Sequence, residues 1–151
     1  MKTFKTIKNL FLAVLFFSFL ACESNSDDME LACENTCDYI LTSSETAGTV
    51  PSSLDGAYTL TFAKDSQSSN TYYADGVMGT FTISNNTLTI EVDGKECITL
   101  SNPVQTSPSE NTFKNTCGTN ITYAVSMTST GELNEINAGN LNNQFLGQFT
   151  E

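Results

Sequence analysis

The chain of 151 residues carries 17 acidic side chains against six lysines, contains no histidine and no arginine, and has a formal net charge of −11. Such a surface repels phosphate backbones, which excludes nucleic-acid binding through a basic patch. The missing residue types also remove Ser-His-Asp and Cys-His nucleophile systems, histidine metal sites and arginine clamps on phosphate or carboxylate.

Lys2, Lys5 and Lys8 precede an apolar run from Leu10 to Leu20, which stops at Ala21-Cys22. A positive end, a short apolar stretch and a small residue before a cut site make residues 1–21 a secretory signal peptide. The run is about 11 residues long, whereas crossing a bilayer takes roughly 20, so it is a poor permanent transmembrane helix. Phe19-Leu20-Ala21-Cys22 resembles the lipobox of bacterial lipoproteins, although Phe19 stands where that family favours Leu. The resemblance implies cleavage before Cys22, a diacylglyceryl group on its sulfur and a further acyl chain on its new amine. The membrane is then a partner through covalent lipid. Ordinary cleavage after Ala21 is the alternative, but it wants small residues at the first and third positions before the cut, and Phe19 occupies the third.

Loss of the signal leaves Lys64, Lys95 and Lys114 against all 17 acids. Glu23, Asp27, Asp28, Glu30 and Glu34 crowd behind Cys22, so residues 22–29 read as an acidic, lipid-anchored tether. An acidic stretch in this place is similar to the export signal of Bacteroidota surface lipoproteins. That similarity implies the outer membrane and display on the cell surface, with the periplasmic face as the alternative.

Residues 30–53 form a cysteine-containing segment and linker. Residues 30–41 suit either a short helix with Cys33 and Cys37 on one face or an extended lead-in. The Thr/Ser/Gly stretch from Thr42 to Ser53, with Pro51, reads as a linker. With Cys22 acylated, Cys33, Cys37, Cys97 and Cys117 remain, an even number in a small exported domain, and two disulfides are expected. Four cysteines allow three pairings. If residues 95–101 and 111–117 are antiparallel partners, Cys97 faces Cys117 and Cys33 pairs with Cys37; the rival is a staple from the N-terminal pair onto the sheet. A four-thiolate zinc site fits poorly, because the spacing departs from paired C-x-x-C, and neither metal nor cofactor is expected.

Residues 54–151 carry the strand pattern. Tyr58, Leu60 and Phe62, then Phe81 and Ile83, then Leu88, Ile90 and Val92 alternate with threonines, the period of half-buried antiparallel strands. Further strands are predicted at 95–100, 112–116, 121–127, 132–136 and 143–149. Asp75-Gly76, Asn85-Asn86 and Asp93-Gly94 supply the residues that tight hairpin loops need. The expected fold is all-β, an antiparallel meander of seven to nine strands forming a small barrel or a sandwich. Leu54-Asp55-Gly56-Ala57-Tyr58-Thr59-Leu60 resembles the first strand of lipocalin-like domains in bacterial lipoproteins, though the chain has no Trp after the Gly. Tyr58, Leu60, Phe62, Phe81, Ile83, Leu88, Ile90, Val92, Ile98, Leu100, Tyr123, Val125, Phe145 and Phe149 are the inward candidates.

Glu91, Asp93 and Glu96 could pair as carboxylates for glycoside hydrolysis, but the first belongs to the threonine face and the second to a turn. Asp65 to Asn70 offers oxygen ligands without the spaced acids, glycine and closing glutamate of a calcium loop. No catalytic residues are assigned, and an enzyme is not expected. The functional expectation is a binding module for a glycan, a small apolar molecule or a protein. The alternative is an accessory subunit of an outer-membrane complex. Tyr72-Tyr73 before the Asp75-Gly76 turn favours binding faintly, since loop aromatics stack on ligands; packing at the core edge is the competing role. An open cavity would support the first class, and a filled interior with an exposed apolar patch the second.

Overall fold

The computed structural model describes residues 33–69, 71–95 and 97–151. The expected signal peptide, Cys22 and the expected acidic tether lie outside the described residues, as do Asn70 and Glu96. Ten strands make one sheet: β1 (Thr36–Asp38), β2 (Gly56–Lys64), β3 (Met78–Ser84), β4 (Thr87–Val92), β5 (Ile98–Ser101), β6 (Val104–Ser107), β7 (Glu110–Lys114), β8 (Ile121–Met127), β9 (Leu133–Asn140) and β10 (Phe145–Thr150). Nine of them fall within residues 54–151, and the tenth, β1, belongs to the cysteine-containing segment.

The spatial order is β1-β5-β4-β3-β2-β10-β9-β8-β7-β6. Strands β2 to β5 and β6 to β10 are therefore two antiparallel meanders, joined side by side where β2 pairs with β10. Only Asn102 and Pro103 connect β5 to β6, yet these strands stand near opposite ends of that order. Since two residues span only about 7 Å, the sheet has to curl until its ends approach, and the result is a half-barrel rather than a two-sheet sandwich.

Local chemistry explains the strands. The alternation in β3 and β4 puts Phe81, Ile83, Leu88, Ile90 and Val92 inside, with Thr80, Thr82, Thr87 and Thr89 on the other face. Asn85 and Asn86 both take positive φ, 50° and 64°, between the paired residues Ser84 and Thr87. That is the two-residue loop whose twist matches flanking strands, and asparagine tolerates it better than most side chains.

Phe149 is fully buried at the centre of an aromatic cluster, with ring centroids 4.9 Å from Phe62, 5.2 Å from Tyr73 and 4.6 Å from Phe81. The rings are tilted or edge-on, the arrangements that aromatic quadrupoles favour. Phe145 departs from the expected inward set: it is 43 % exposed. The pairing of β10 with β9 shifts register between Phe145 and Gly147. A bulge there breaks the alternation, so Leu146 turns inward and is 5 % exposed. Gly147 sits at φ 152°, and a Cβ there would meet the Phe62 ring, so close approach of β10 to β2 requires glycine. Leu146→Ala should cost about 2–5 kcal/mol, while Phe145→Ser should stay within about 0.5 kcal/mol, both read from urea unfolding of the oxidised protein; the reverse ranking would mean the bulge is misplaced.

Candidate functional site

The N-terminal segment is part of the sheet rather than an appendage. Strand β1 lies parallel to β5 in the register Thr36 to Thr99, Cys37 to Leu100 and Asp38 to Ser101. Ala47 bridges Val104 of β6, and Gly48 N–H donates to the Pro103 carbonyl at 2.8 Å while Gln105 N–H donates to that of Thr46 at 2.9 Å. One stretch of chain thus occupies the free backbone edge of both β5 and β6. Val50, from the sequence read as linker, and Leu54, just after it, are buried in the core. The choice left open for residues 30–41 resolves as extended chain at Thr36–Asp38.

Two disulfides fasten this segment, Cys33 to Cys97 and Cys37 to Cys117, with Cα separations of 5.4 and 5.8 Å. The pairing of Cys97 with Cys117, and with it that of Cys33 with Cys37, is corrected. It required β5 and β7 to be neighbours, but β5 is flanked by β4 and β1, and β7 by β8 and β6. The staple from the N-terminal pair onto the sheet is what forms.

Between the two fastened stretches, Glu45 pairs with Lys114, and Tyr39 O–H donates to the same carboxylate at 2.9 Å. Thr42 N–H and Thr42 Oγ1 add donors at 2.8 and 3.0 Å. The Lys114 contact, then the Thr42 backbone bond, hold the Glu45 carboxyl down from its ordinary 4.5 to about 2. On Lys114 desolvation pulls the ammonium down, but the hydrogen bonds to Glu45 and Tyr39 outweigh it and the net direction is upward.

A cavity of about 670 Å³ opens beside the two crosslinks. Ile90 and Val92 of β4 and Ile98 of β5 form its apolar wall, the 115–119 turn after β7 faces them, and Glu34, Asn35 and Thr36 border it at the start of β1. Cys97 and Cys117, one from each disulfide, line it as well. Tyr73 and Tyr123 reach it from the core: both are almost completely buried, and their hydroxyls lie 2.5 Å apart. Burial pushes both phenols up from the ordinary value of 10, so they stay protonated. Tyr73 also packs against Phe62 and Phe149, which makes it the boundary between filled core and cavity. Tyr72 meets Tyr73 edge-on at 4.7 Å, and the Lys95 ammonium sits 4.2 Å from the Tyr72 ring centre. The asparagines of the wall are occupied with structure. Asn35 Nδ2 donates to the Cys97 carbonyl at 3.4 Å, and Asn115 Nδ2 donates to Thr119 Oγ1 at 3.0 Å while its Oδ1 accepts from Cys117 N–H at 3.2 Å.

Of the residues singled out in the sequence, the four cysteines and the Tyr72-Tyr73 pair come together here. Glu91 and Asp93 are exposed, on β4 and in the turn after it. Asp65 folds its oxygens into a local turn, accepting from Gln67 N–H at 3.2 Å and Ser68 N–H at 3.0 Å. Cys33, Cys97 and Glu91 lie within metal-ligand reach of one another, but both sulfurs are bonded, which leaves a single carboxylate. Ile98, Lys95, Asn115 and Tyr123 escaped sequence reasoning as cavity residues, since nothing local links positions that meet only across the curl of the sheet. Comparison with protein-family models, curated proteins and solved structures finds no match to this chain.

Replacing both partners in Cys37→Ser/Cys117→Ser should lower stability by about 2–5 kcal/mol, measured by denaturant unfolding. The pH dependence has a definite sign. Glu45 has a lower pKa folded than unfolded, so its contribution is complete above about pH 4.5 and is lost as pH falls through about 2. In urea titrations across that window the wild-type midpoint should drop more steeply than that of Glu45→Gln; parallel curves would show that the pair contributes nothing.

Proposed function

We propose that this protein is a lipid-anchored binding protein of the bacterial outer membrane, displayed on the cell surface, which holds a small, largely apolar ligand in the cavity beside its disulfides. The observation that carries the reading is the cavity. Its volume of about 670 Å³ lies within the roughly 300–1,000 Å³ of small-molecule sites. It joins an apolar wall of Ile90, Val92 and Ile98 to polar groups that include Asn35, Thr36, Asn115 and Thr119, so apolar contact and hydrogen bonding are both on offer to a small molecule. Filled aromatic core lies behind Tyr73, so the space is a local feature at one side of the fold.

The anchor reading rests on the Phe19-Leu20-Ala21-Cys22 lipobox and the acidic stretch behind it. Two or three acyl chains on Cys22 hold a protein stably, where one alone binds marginally. Cys33 begins the cavity side of the fold, and residues 23–32 reach at most about 40 Å when extended. A protein tethered this way samples molecules at or near the membrane. The accessory-subunit reading would use a different surface. Exposed Leu141 and Phe145 border an outer groove of about 480 Å³ over β7 to β9, which is smaller than the cavity.

Two measurements test the proposal. Growth with a clickable fatty acid should label wild type and not Cys22→Ala, and protease added to intact cells should digest the labelled protein; an unlabelled wild type sinks the anchor, and labelled but protected protein sinks surface display. Native mass spectrometry of protein purified from its membrane should show a bound small molecule that is lost on Ile98→Trp, which fills the cavity. Equal adducts on both proteins would place the ligand elsewhere.

A further inference from the structure

The chemistry of the ligand follows from a proton count at Tyr73 and Tyr123. Two phenols carry two donor protons, and the single bond between the hydroxyls uses one of them. Among the described residues no other group bonds to either oxygen, so one O–H is left without a protein acceptor where the two buried rings meet the cavity. A buried donor left unmatched is costly, and supplying its acceptor is worth far more there than at the surface. The asparagines nearby bond elsewhere and not to either hydroxyl: Asn35 Nδ2 donates to the Cys97 carbonyl, and Asn115 links Thr119 Oγ1 and Cys117 N–H.

Charge narrows the choice further. Lys95, stacked on Tyr72, and Glu34 both line the mouth, so neither sign of charge dominates the approach. The strongly acidic surface elsewhere repels anions. The edge-to-face pair Tyr72 and Tyr73 lines the same cavity as the branched Ile90, Val92 and Ile98, and aromatic faces beside apolar side chains suit a ring system.

We infer that the cavity takes a neutral ring compound carrying a hydrogen-bond acceptor, a carbonyl or ether oxygen that receives the spare proton of the Tyr73 and Tyr123 hydroxyl pair. This rests on the cavity being a ligand site, as proposed above, and names what the site selects. Two naphthalenes of the same shape separate the claims. 2-Acetylnaphthalene offers a carbonyl acceptor; 2-ethylnaphthalene does not. Calorimetric titration uses the intact oxidised protein in lipid nanodiscs, with empty nanodiscs as the blank. Wild type should bind the acetyl compound about tenfold more tightly. In Tyr73→Phe/Tyr123→Phe that preference should vanish while 2-ethylnaphthalene binds as before, which also certifies that the cavity persists. Equal affinity of wild type for the two probes overturns the acceptor claim and leaves the ligand site standing; a wild type that binds neither overturns both. Where the double variant does not fold, the wild-type comparison decides, supported by a downward shift of the carbonyl stretching band on binding.

Discussion

Closure of the seam between β5 and β6 is the constraint on which the structure depends. A link of only Asn102 and Pro103 forces the two ends of a ten-stranded order toward each other, yet β5 and β6 do not pair. Two rows of backbone donors and acceptors would be left open, and open edges invite association with other chains. The N-terminal segment satisfies both rows, β1 along β5 and residues 46–48 along β6. Its short strand is too small to hold by hydrogen bonds alone. Two covalent bonds and the cluster of Glu45, Lys114 and Tyr39 keep it in place.

The cavity is a by-product of how that closure is achieved. Rings of Phe62, Phe81 and Phe149 fill the middle of the half-barrel, while beside the crosslinks the wall consists of a turn, two cystines and the beginning of β1. Those parts are held by covalent bonds and by asparagine side chains, which leaves them free of the need to fill space. Tyr73 and Tyr123 have a foot in each region: their rings are core, and their hydroxyls are site. A small domain buries a modest share of its surface, so covalent fastening is what makes an interior of this size compatible with stability.

The all-β meander was legible from period-two alternation, because β2, β4 and β8 each carry three or more apolar residues on one face, and β3 carries Phe81 and Ile83 between threonines. Strands β1 and β6 carry one buried residue each, Cys37 and Val104, too little periodicity to detect. Phe145 misled because a bulge changes parity without leaving a mark in the residue pattern. The cysteine pairing turned on which strands are neighbours, a property of the whole topology, and a local hairpin argument chose wrongly. Of the cavity, Tyr72-Tyr73 stood out beforehand as a candidate for ligand contact, Cys97 and Cys117 as crosslinks, and Ile90, Val92, Ile98 and Tyr123 only as inward-facing strand positions.

The separations of the crosslinked residues, 64 and 80 positions, bear on how the chain matures. On the proposed export route, with the chain emerging in the order of synthesis, Cys33 and Cys37 would reach an oxidising compartment while Cys97 and Cys117 are still behind them. Their nearest thiols would then be each other, and a bond closed between them would have to be undone by thiolate attack before the sheet could be fastened. On that route the same bonds that stabilise the finished half-barrel would tie its assembly to disulfide shuffling, and a host lacking an isomerase would accumulate a form whose N-terminal segment is cyclised upon itself and whose seam stands open.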